Sequence, residues 1–520
     1  MPYHPGQDWG ANREGSSSSA RLLSPKPDSS NSLFNLIALS MNELDRIRQL
    51  EKESRLLEPG DNTRAYWQSQ TNACAESFIQ GRNGQKAYKD SSDNGLGLLD
   101  SPIEEKPLEI DGVLKLVEKS INLPGIDLTS SRHFGYIPGG ALYPSALGDF
   151  LAAISNKYAG SFFASPGSVR LENQLIRWIA DLMGYPEIAA GNLTSGGSVA
   201  HLIAITAARE AVQLKAKDYH RAVIYVSTQT HHSVLKALTV AGMREAEIRY
   251  LPVDKAYRMQ TAQLPKIIDD DLKKGLIPFM VVATAGTTEV GAIDELDTIA
   301  DVCEHKKVWF HVDAAYGGFY ILCEEVAAKL KGIEKSDSFV IDPHKGLFLP
   351  YGTGAVIVRD KRHILAANSY HANYMQDALQ DDELDPASLS PELSKHFRGL
   401  RMWMPLKLFG LKPFRAALTE KVVLARYFHK HIQQIPGFEV GPFPDISVVL
   451  FRYIPREGDA NEYNRALVKA LLKDGRIYIS TTTIEGNYYL RLAVCVYRTH
   501  LEEVELCLQI LKELPARVCA

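Results

Sequence analysis

The sequence predicts an α/β protein whose large domain is built on a mainly parallel β-sheet. Short runs rich in β-branched and aromatic residues alternate with longer stretches of helical periodicity, an order typical of parallel sheets. Four of these runs are continuously apolar, as expected of strands buried on both faces. They cover residues 222–226, 279–283, 308–312 and 338–341. Ligands of such sheets bind beyond the carboxyl ends of the strands, so we expect the functional residues there.

The chain before this domain divides into two parts by composition. Residues 1–31 are rich in Ser, Pro, Gly and Asn and hold too few apolar side chains to offset the entropy lost on ordering, which predicts a disordered tail. Residues 32–140 form a predicted helical segment, because apolar residues recur at helical spacing over 33–57 and again over 111–120. Charges of both signs lie among the polar residues of the first helix, which favours a packing helix over a membrane-binding one.

The large domain is predicted over residues 141–400 and a smaller domain over residues 401–520. The pattern of the smaller domain is a long helix, two short apolar segments near 446–453 and 488–496, and a final helix over 501–514. Helices combined with a few strands in this way are typical of a small α+β domain.

Length and composition agree with a large globular protein. The 520 residues are 45% hydrophobic, which is enough for a sizeable core, and the net charge of -4 gives no bias toward nucleic acid or anionic membrane. No apolar stretch approaches the roughly 20 residues of a membrane span and no signal peptide is apparent, so we expect a cytoplasmic protein. The six cysteines are scattered without CxxC pairs, so neither a disulfide framework nor a metal site is expected.

Two residues at the ends of predicted strands suggest a chemistry. Lys345 lies in Ser-Phe-Val-Ile-Asp-Pro-His-Lys-Gly, and Asp313 lies in Trp-Phe-His-Val-Asp-Ala-Ala-Tyr. A lysine amine can form a Schiff base with the aldehyde of pyridoxal 5′-phosphate, and a buried carboxylate can keep the pyridine nitrogen protonated so that the ring accepts electrons. Either residue alone is more often a solvated surface charge, so the neighbouring motifs decide.

Five motifs together resemble those of the group II pyridoxal phosphate-dependent amino-acid decarboxylases. This family includes the aromatic amino-acid, histidine, glutamate and cysteine-sulfinate decarboxylases. The motifs follow the family's order, and the resemblance covers roughly residues 110–515. They are Thr-Ser-Gly-Gly-Ser at 194–198, Thr-His-His-Ser at 230–233, Thr-Ala-Gly-Thr-Thr at 284–288, Asp-Ala-Ala-Tyr at 313–316 and Asp-Pro-His-Lys at 342–345.

The resemblance implies a pyridoxal phosphate enzyme of fold type I. It also implies an L-amino-acid α-decarboxylase that works through an external aldimine and a quinonoid and releases an amine and CO2. Members of the family are homodimers with active sites at the interface, and their N-terminal helical segment wraps over the partner subunit. We therefore expect an amino-acid substrate and a second copy of the chain as partners, and neither nucleic acid nor membrane.

The loop at 194–198 is interpreted as the cradle for the cofactor phosphate. Gly196, Gly197 and Ser198 precede an apolar helical segment, and a small-residue loop at a helix N-terminus exposes backbone N–H groups and the positive end of the helix dipole. Such a loop is often only an N-cap, and the resemblance favours the functional interpretation. Val199 and His201 stand where the family usually has an acid and an Asn, which leaves the backbone argument intact.

His231 and Thr288 are assigned from the resemblance. His231 matches the histidine that stacks on the cofactor ring and contacts the carboxylate region of the substrate, so it is assigned to catalysis and to cofactor and substrate binding. Thr288 matches the threonine on the phenolic-oxygen side of the cofactor. A capping or surface histidine is the competing interpretation of His231, and a turn hydroxyl that bonds its own backbone is that of Thr288.

The strand-end motifs add further cofactor-binding residues to Asp313 and Lys345. Ala315 points to the same side of an extended segment as Asp313 and is small enough for the ring to pack over it. His344 resembles the family's phosphate-contacting histidine. Asp342 stands where the family often has Asn, and since an acid repels a phosphate dianion, we expect it to orient the loop or to bind through its backbone. His311 is expected to be a core or supporting histidine.

Tyr374 is the candidate proton donor, and it completes a catalytic set with Lys345 and His231. It precedes an acidic, Pro-interrupted stretch over 380–391 that is typical of a mobile surface loop. The family carries on such a loop a tyrosine that returns a proton to the substrate Cα. A partly buried packing tyrosine is the competing interpretation.

The substrate side chain is weakly indicated. Tyr136 lies in Phe-Gly-Tyr-Ile-Pro-Gly at 134–139, matches a pocket tyrosine of the aromatic amino-acid decarboxylases and is the predicted substrate-binding residue. Gly160 falls where those enzymes carry a bulky aromatic residue, which leaves room for a larger or differently shaped side chain. Aromatic amino acids are therefore only slightly favoured.

Two other functions stay open on the sequence. Decarboxylation coupled to oxidative deamination would give an aldehyde, and another Cα lyase reaction would use the same cofactor; Tyr374 discriminates, because its proton yields the amine. A catalytically silent homologue with a binding role is the second alternative, and the presence of both Lys345 and Asp313 argues against it.

Overall fold

The computed structural model describes residues 42–81, 85–369 and 383–518, which form two units. Residues 42–81 and 93–123 belong to the first unit, and residues 85–92, 124–369 and 383–518 belong to the second. The predicted tail over 1–31 lies outside the described residues. The division predicted from composition, with boundaries after residues 31, 140 and 400, stays a prediction.

The first unit is helical. Its described helices are α1 (Glu43–Ser54), α2 (Asp61–Gln80), α3 (Leu96–Leu99) and α4 (Ile110–Leu116), and α4 continues as a π-helical turn over Val117–Asn122. Asn42 caps α1, since its side-chain oxygen accepts a hydrogen bond from the Leu44 N–H at 3.0 Å. The helical periodicity at 33–57 and 111–120 thus coincides with α1 and α4 in the described part of the chain.

The described part of the second unit holds fourteen strands in three sheets. In chain order they are β1 (Tyr88–Lys89), β2 (Gly125–Ile126), β3 (His133–Phe134), β4 (Ala190–Thr194), β5 (Ala222–Ser227), β6 (Glu247–Leu251), β7 (Ile277–Thr284), β8 (Trp309–Asp313), β9 (Ser338–Ile341), β10 (Gly354–Val358), β11 (Phe438–Val440), β12 (Val448–Tyr453), β13 (Tyr478–Ile484) and β14 (Asn487–Ala493). The smallest sheet has two strands, the antiparallel pair β1 and β2.

In the sequence, the helices of the second unit alternate with these strands or follow them. In chain order they are α5 (Tyr143–Ser155), α6 (Pro166–Leu182), α7 (Gly197–Ala211), α8 (His232–Val240), α9 (Leu264–Lys273), α10 (Leu296–Lys306), α11 (Glu324–Ala327), α12 (Pro343–Gly346), α13 (Lys361–Asn368), α14 (Gly399–Phe409), α15 (Lys412–Ile432), α16 (Ala460–Asp474) and α17 (Leu501–Val518).

The large sheet has seven strands in the order β4-β10-β9-β8-β7-β5-β6. Neighbours from β9 to β6 are parallel, whereas β10 is antiparallel to both β4 and β9. Six of the seven strands therefore run in one direction. The prediction of an α/β protein with a mainly parallel sheet is confirmed, and β5, β7, β8 and β9 are the four strands that the apolar runs predict.

These central strands are mainly apolar because each lies between two hydrophobic cores. In β8, Phe310 and Val312 belong to one core and Trp309 belongs to the other. Alternate residues of a strand point to opposite faces, so a strand covered by helices on both faces has no side exposed to water. Ile203 and Ala204 of α7 pack in the second core, which places α7 over the face of the sheet that carries Trp309.

A five-stranded sheet lies nearer the C-terminus, in the order β11-β12-β14-β13-β3. Its strands pair antiparallel except β3, which is parallel to β13 although it lies far earlier in the sequence. The apolar segments near 446–453 and 488–496 correspond to β12 and β14. Strands β11 and β13 are not predicted, since β11 has three residues and β13 is a Thr-rich segment in which only Ile479 and Ile484 are buried.

Candidate active site

The carboxyl ends of β4, β5, β7, β8 and β9 meet at one edge of the large sheet, around a pocket of about 370 Å³. The residues that follow these strands line the pocket. All ten predicted cofactor-binding residues are among them, namely Gly196, Gly197, Ser198, His231, Thr288, Asp313, Ala315, Asp342, His344 and Lys345. Their individual roles stay predictions.

Lys345 stands on α12, the short helix after β9, and is paired with a carboxylate. Its Nζ lies 2.9 Å from Oδ2 of Asp342, the N-cap residue of that helix. Burial lowers the pKa of Lys345, but the carboxylates of Asp342 and Asp313 outweigh burial and hold the pKa above its ordinary value. Beside these two carboxylates the amine is therefore an ammonium at neutral pH.

Asp313 is the last residue of β8 and is buried beside the pocket. Its Oδ1 accepts a hydrogen bond from the Ala315 N–H at 3.1 Å, and its Oδ2 lies 3.5 Å from Nε2 of His201. Burial alone would raise the pKa of Asp313, but His201, and after it Lys345, outweigh burial and hold the pKa well below its ordinary value. A fixed negative charge therefore faces the pocket.

The loop between β4 and α7 presents backbone groups to the pocket. Gly196, the N-cap residue of α7, has φ 154° and ψ 177°, a conformation that is essentially restricted to glycine. A Cβ on Gly197 would lie 3.3 Å from Oδ2 of Asp342, so there is little room for a larger residue. The first turn of α7 directs its free N–H groups and its positive dipole end toward this space, which suits an anion such as a phosphate.

His344 lies beside this loop. A Cβ on Gly196 would be 3.6 Å from Cε1 of His344, and the Nδ1–H of His344 donates to the Thr353 carbonyl at 2.6 Å. Because Nδ1 is engaged with the backbone, Nε2 is the nitrogen left for a ligand. Burial lowers the pKa of His344, so its imidazole is neutral.

His231 follows β5 and caps α8. Its Nδ1 lies 2.7 Å from Oγ of Ser233 and accepts a hydrogen bond from the Ser233 N–H at 3.3 Å. Burial lowers the pKa of His231 to about 4, against the opposing effect of Asp313, so this ring is neutral at pH 7. A neutral planar ring in this position suits stacking on an aromatic ligand.

Two predicted residues are not placed in this pocket. Tyr136 is 52% exposed, its hydroxyl accepts a hydrogen bond from that of Tyr478 at 3.2 Å, and it is not among the residues that line the pocket. Tyr374 lies outside the described residues. Their substrate-binding and catalytic roles stay predictions.

Several residues that line the pocket are not predicted to be functional. They are Ser195, His201, Ser233, Thr284, Gly286 and Tyr316. All but His201 belong to motifs that the sequence identifies, whereas His201 contacts Asp313 because α7 packs on the face of the sheet to which Asp313 points.

Arg491 is a further candidate, from β14 in the small sheet. Its guanidinium is 4% exposed and donates to the carbonyls of Glu289 at 3.1 Å and Tyr136 at 3.2 Å. Its Nη2 is buried without a hydrogen-bond partner among the described residues. A buried cation with an unused donor is costly, and this one adjoins the segment that carries Thr288. The signal in the sequence is a single charge inside an apolar strand.

A second cavity of about 460 Å³ lies at the opposite edge of the large sheet, where β8 begins. Trp309, Lys307 and Arg359 line it, and none of the predicted site residues does. The described part of the chain shows no group of His, Cys, Asp or Glu side chains that could hold a metal ion. Within the same described ranges, no helix is long and apolar enough to cross a membrane.

Comparison with known proteins places the chain in a family. The pyridoxal-dependent decarboxylase conserved domain matches residues 93–454. An aromatic-L-amino-acid decarboxylase of Bacillus atrophaeus is 36% identical over 391 residues, which cover 74% of this chain and 80% of that protein. A phenylacetaldehyde synthase of Arabidopsis thaliana is 30% identical over 432 residues, which cover 80% of this chain and 88% of that protein.

Solved structures show the same relationship. A crystal structure of Oryza sativa TDC with PLP and tryptamine superposes with a TM-score of 0.83 at 25% identity, and covers 89% of this chain and 99% of that chain. The chain belongs to the pyridoxal-dependent decarboxylase family. It is accordingly an amino-acid decarboxylase of fold type I that uses pyridoxal 5′-phosphate, as the sequence predicts.

The residues around the pocket fit this cofactor. The loop at Gly196 and the neutral His344 suit its phosphate, the Asp313 carboxylate suits a protonated pyridine nitrogen, and the Lys345 amine suits its aldehyde. The planar ring of His231 suits stacking on the face of the cofactor ring. Four separate chemical demands of one molecule are thus met by residues at the ends of four different strands, β4, β5, β8 and β9.

Proposed function

We propose that the chain decarboxylates aromatic L-amino acids to the corresponding amines in the pocket at the carboxyl edge of the large sheet. The observation that carries this proposal is the placement of Lys345, Asp313 and the Gly196 loop around one pocket of about 370 Å³. When bound, the cofactor supplies an electron sink for the charge that remains at Cα after CO2 leaves. The remaining tasks belong to side chains of this protein.

Each side chain has one proposed task. Lys345 would hold the cofactor through its amine, and this amine would be released when the substrate amine takes its place. Asp313 keeps the ring nitrogen protonated by its fixed charge. His231, held by Ser233, keeps the ring and the substrate carboxylate in position as a neutral group. Tyr374 returns a proton to the substrate Cα and thereby determines that an amine is formed.

Arg491 is proposed to bind the substrate carboxylate region from the small sheet. Its unused Nη2 donor is buried, and its position is fixed by the carbonyls of Glu289 and Tyr136. A guanidinium binds carboxylates through paired donors, and a desolvated one does so strongly. This arrangement links substrate binding to the segment at 134–139 that the sequence analysis assigns to the substrate pocket.

The preference for aromatic substrates is supported by two observations. The Bacillus atrophaeus relative is an aromatic-L-amino-acid decarboxylase. The ring of Tyr136 also belongs to an aromatic group with Tyr478 and His133, whose ring centroids lie 5.9 Å and 6.3 Å from it. At Gly160, where the sequence analysis expects free space, the ring of Tyr158 lies 2.7 Å from the position of a Cβ.

An aldehyde-forming reaction is the second candidate, because the Arabidopsis thaliana relative is a phenylacetaldehyde synthase. The two reactions differ in whether Cα is protonated or exposed to oxygen after CO2 leaves. The presence of Tyr374 favours the amine.

We further propose a homodimer with active sites at the interface. Helix α5 exposes apolar side chains at helical spacing: Leu147 is 39% exposed, Phe150 51%, Leu151 48% and Ile154 71%. An apolar stripe of this kind on a helix indicates a covered surface. A second copy of the chain is the proposed cover, and the cytosol is the proposed compartment, where the five free cysteines of the described ranges stay reduced.

The test is a product-detected screen of the purified holoenzyme against the common amino acids and acidic analogues, with Lys345→Ala as the inactive control. We expect equal amounts of CO2 and amine from one or more aromatic amino acids. Release of CO2 only from an acidic or small amino acid would overturn the substrate class. Aldehyde and ammonia in place of amine would select the second candidate.

A further inference from the structure

Four buried polar side chains form a chain that leads away from the pocket. Nε2 of His201 lies 3.5 Å from Oδ2 of Asp313. Nδ1 of His201 lies 3.1 Å from Nε2 of His311, and Nδ1 of His311 lies 2.8 Å from Oγ of Ser338. Each of the four residues is at most 5% exposed. The contacts behind the pocket wall are therefore shielded from bulk solvent.

Regular secondary structure holds this chain in place. His311 and Asp313 are two residues apart in β8, so their side chains point to the same face of the sheet. Ser338 begins β9 and is the register partner of His311. His201 stands in the first half of α7, which packs on that face. The geometry does not depend on any loop.

The donors and acceptors of these four side chains fit one arrangement of protons. The Trp309 indole, which can only donate, donates to Oγ of Ser338 at 2.9 Å, so the Ser338 hydroxyl proton is free to point at Nδ1 of His311. Burial, and after it His201, lower the pKa of His311 to about 3, so this ring is neutral and carries its proton on Nε2. In this arrangement Nδ1 of His201 accepts a hydrogen bond from the His311 Nε2–H, which leaves the His201 N–H at Nε2, 3.5 Å from Oδ2 of Asp313.

We propose that His201 is a positioning residue: held by His311 and Ser338, it directs an N–H at Asp313 and keeps this carboxylate charged and aimed at the ring nitrogen of the cofactor. The inference rests on the proposed function, in which Asp313 faces that nitrogen. Oδ1 of Asp313 accepts a hydrogen bond from the Ala315 N–H, and Nε2 of His201, which is buried with no hydrogen-bond partner among the described residues, is the nitrogen that lies 3.5 Å from Oδ2.

Lys345 and His231 are the other titratable groups that act on Asp313 across the pocket. The Lys345 amine is committed to the cofactor aldehyde in the working enzyme, and His231 is neutral. His201 is therefore the side chain left to stabilise the charge of Asp313 by a direct contact. Loss of this contact should shift the protonation of the cofactor ring even when the fold is unchanged.

The test measures ring protonation in the holoenzyme, from the nitrogen NMR shift of cofactor labelled at its pyridine nitrogen. In His201→Leu we expect this nitrogen to lose its proton at a lower pH than in the wild type, and the cofactor to dissociate roughly tenfold more readily. His201→Gln keeps an N–H near the position of Nε2 and should restore the wild-type titration. His429→Leu is the matched control, because this buried histidine bonds Gly441 and Gln433 instead.

A wild-type titration of the ring nitrogen in His201→Leu would overturn the inference. Asp313→Asn separates the inference from the proposed function. If the ring nitrogen stays protonated in Asp313→Asn, the proposed role of Asp313 is wrong. If the nitrogen loses its proton in Asp313→Asn but not in His201→Leu, only the proposed positioning role of His201 is wrong. Should His201→Leu bind no cofactor, His311→Leu breaks the next link, with the same shift expected and the same contrary result.

Discussion

Nζ of Lys345 lies 2.9 Å from Oδ2 of Asp342, and this ion pair holds the amine that we propose to react with the cofactor. Asp342 is 1% exposed, so the pair is shielded from solvent on its acidic side. An amine must be neutral to attack an aldehyde, and the ion pair keeps Lys345 protonated. The carboxylate that orients the lysine therefore also slows its reaction.

Replacing Asp342 by Asn should speed cofactor loading at neutral pH. Burial lowers the pKa of Lys345, and Asp342 and Asp313 together raise it above its ordinary value. Loss of one carboxylate lowers the pKa of Lys345, and each pKa unit by which it falls increases the fraction of neutral amine roughly tenfold. The measurement is the rate of absorbance change after cofactor is added to the apoenzyme, over a series of pH values. The midpoint of this pH profile should lie at lower pH in Asp342→Asn than in the wild type. Asp342→Glu keeps the charge and serves as the control; an equal midpoint in wild type and Asp342→Asn would contradict the expectation.

Replacing Asp313 by Asn should stop turnover while cofactor remains bound. The substitution keeps the shape but removes the charge that favours a protonated ring nitrogen, so turnover should fall by roughly two orders of magnitude or more. The measurement is the rate of CO2 release from enzyme saturated with cofactor, with bound cofactor quantified by absorbance. Near wild-type turnover in the saturated protein would show that another group protonates the ring.

Charges placed on the exposed face of α5 should dissociate the dimer. Phe150→Asp combined with Ile154→Asp places two carboxylates where the proposed partner surface packs, so the dissociation constant should rise at least roughly tenfold. Analytical ultracentrifugation over a concentration series gives this constant. Val240→Asp, at an exposed apolar residue at the end of α8, is the matched control. A double variant that stays dimeric at the concentrations at which the wild type is dimeric would remove α5 from the interface.

Replacing Tyr374 by Phe should change the product and leave cofactor binding intact. Without the hydroxyl, the substrate Cα is not protonated promptly after CO2 leaves and becomes open to oxygen. We expect aldehyde and ammonia to replace amine under air, and slow turnover under argon, compared with the wild type in both atmospheres. If the variant makes amine at the wild-type rate with no dependence on oxygen, Tyr374 is a packing residue and His231 is the next candidate.

The strands that hold the site were predictable because burial on both faces leaves a direct mark on the sequence. The apolar runs of β5, β7, β8 and β9 predict the central strands, and the motifs after them predict the edge where ligands bind. Strand β4 was not predicted, since it is short and contains Gly191, Asn192 and Thr194. Strand β6 was not predicted either, because Glu247 is exposed at the edge of the sheet.

The contacts behind the pocket were not predictable for a different reason. His201 reaches Asp313 because α7 packs on the face of the large sheet to which Asp313 points, and Arg491 reaches the Tyr136 carbonyl because β14 and β3 belong to the same small sheet. Both contacts join residues far apart in the sequence. A motif records which residues follow a strand, but it does not record which helix or sheet packs against it.

Peptide mapping after borohydride reduction tests the central assignment most directly. If Lys345 holds the cofactor, reduction of the holoenzyme should fix the cofactor on the peptide that contains Lys345, and Lys345→Ala should show no such label. Lys329→Ala, which removes a lysine that pairs with Asp445 away from the pocket, should label as the wild type does. A label on any other lysine would contradict the assignment of the site.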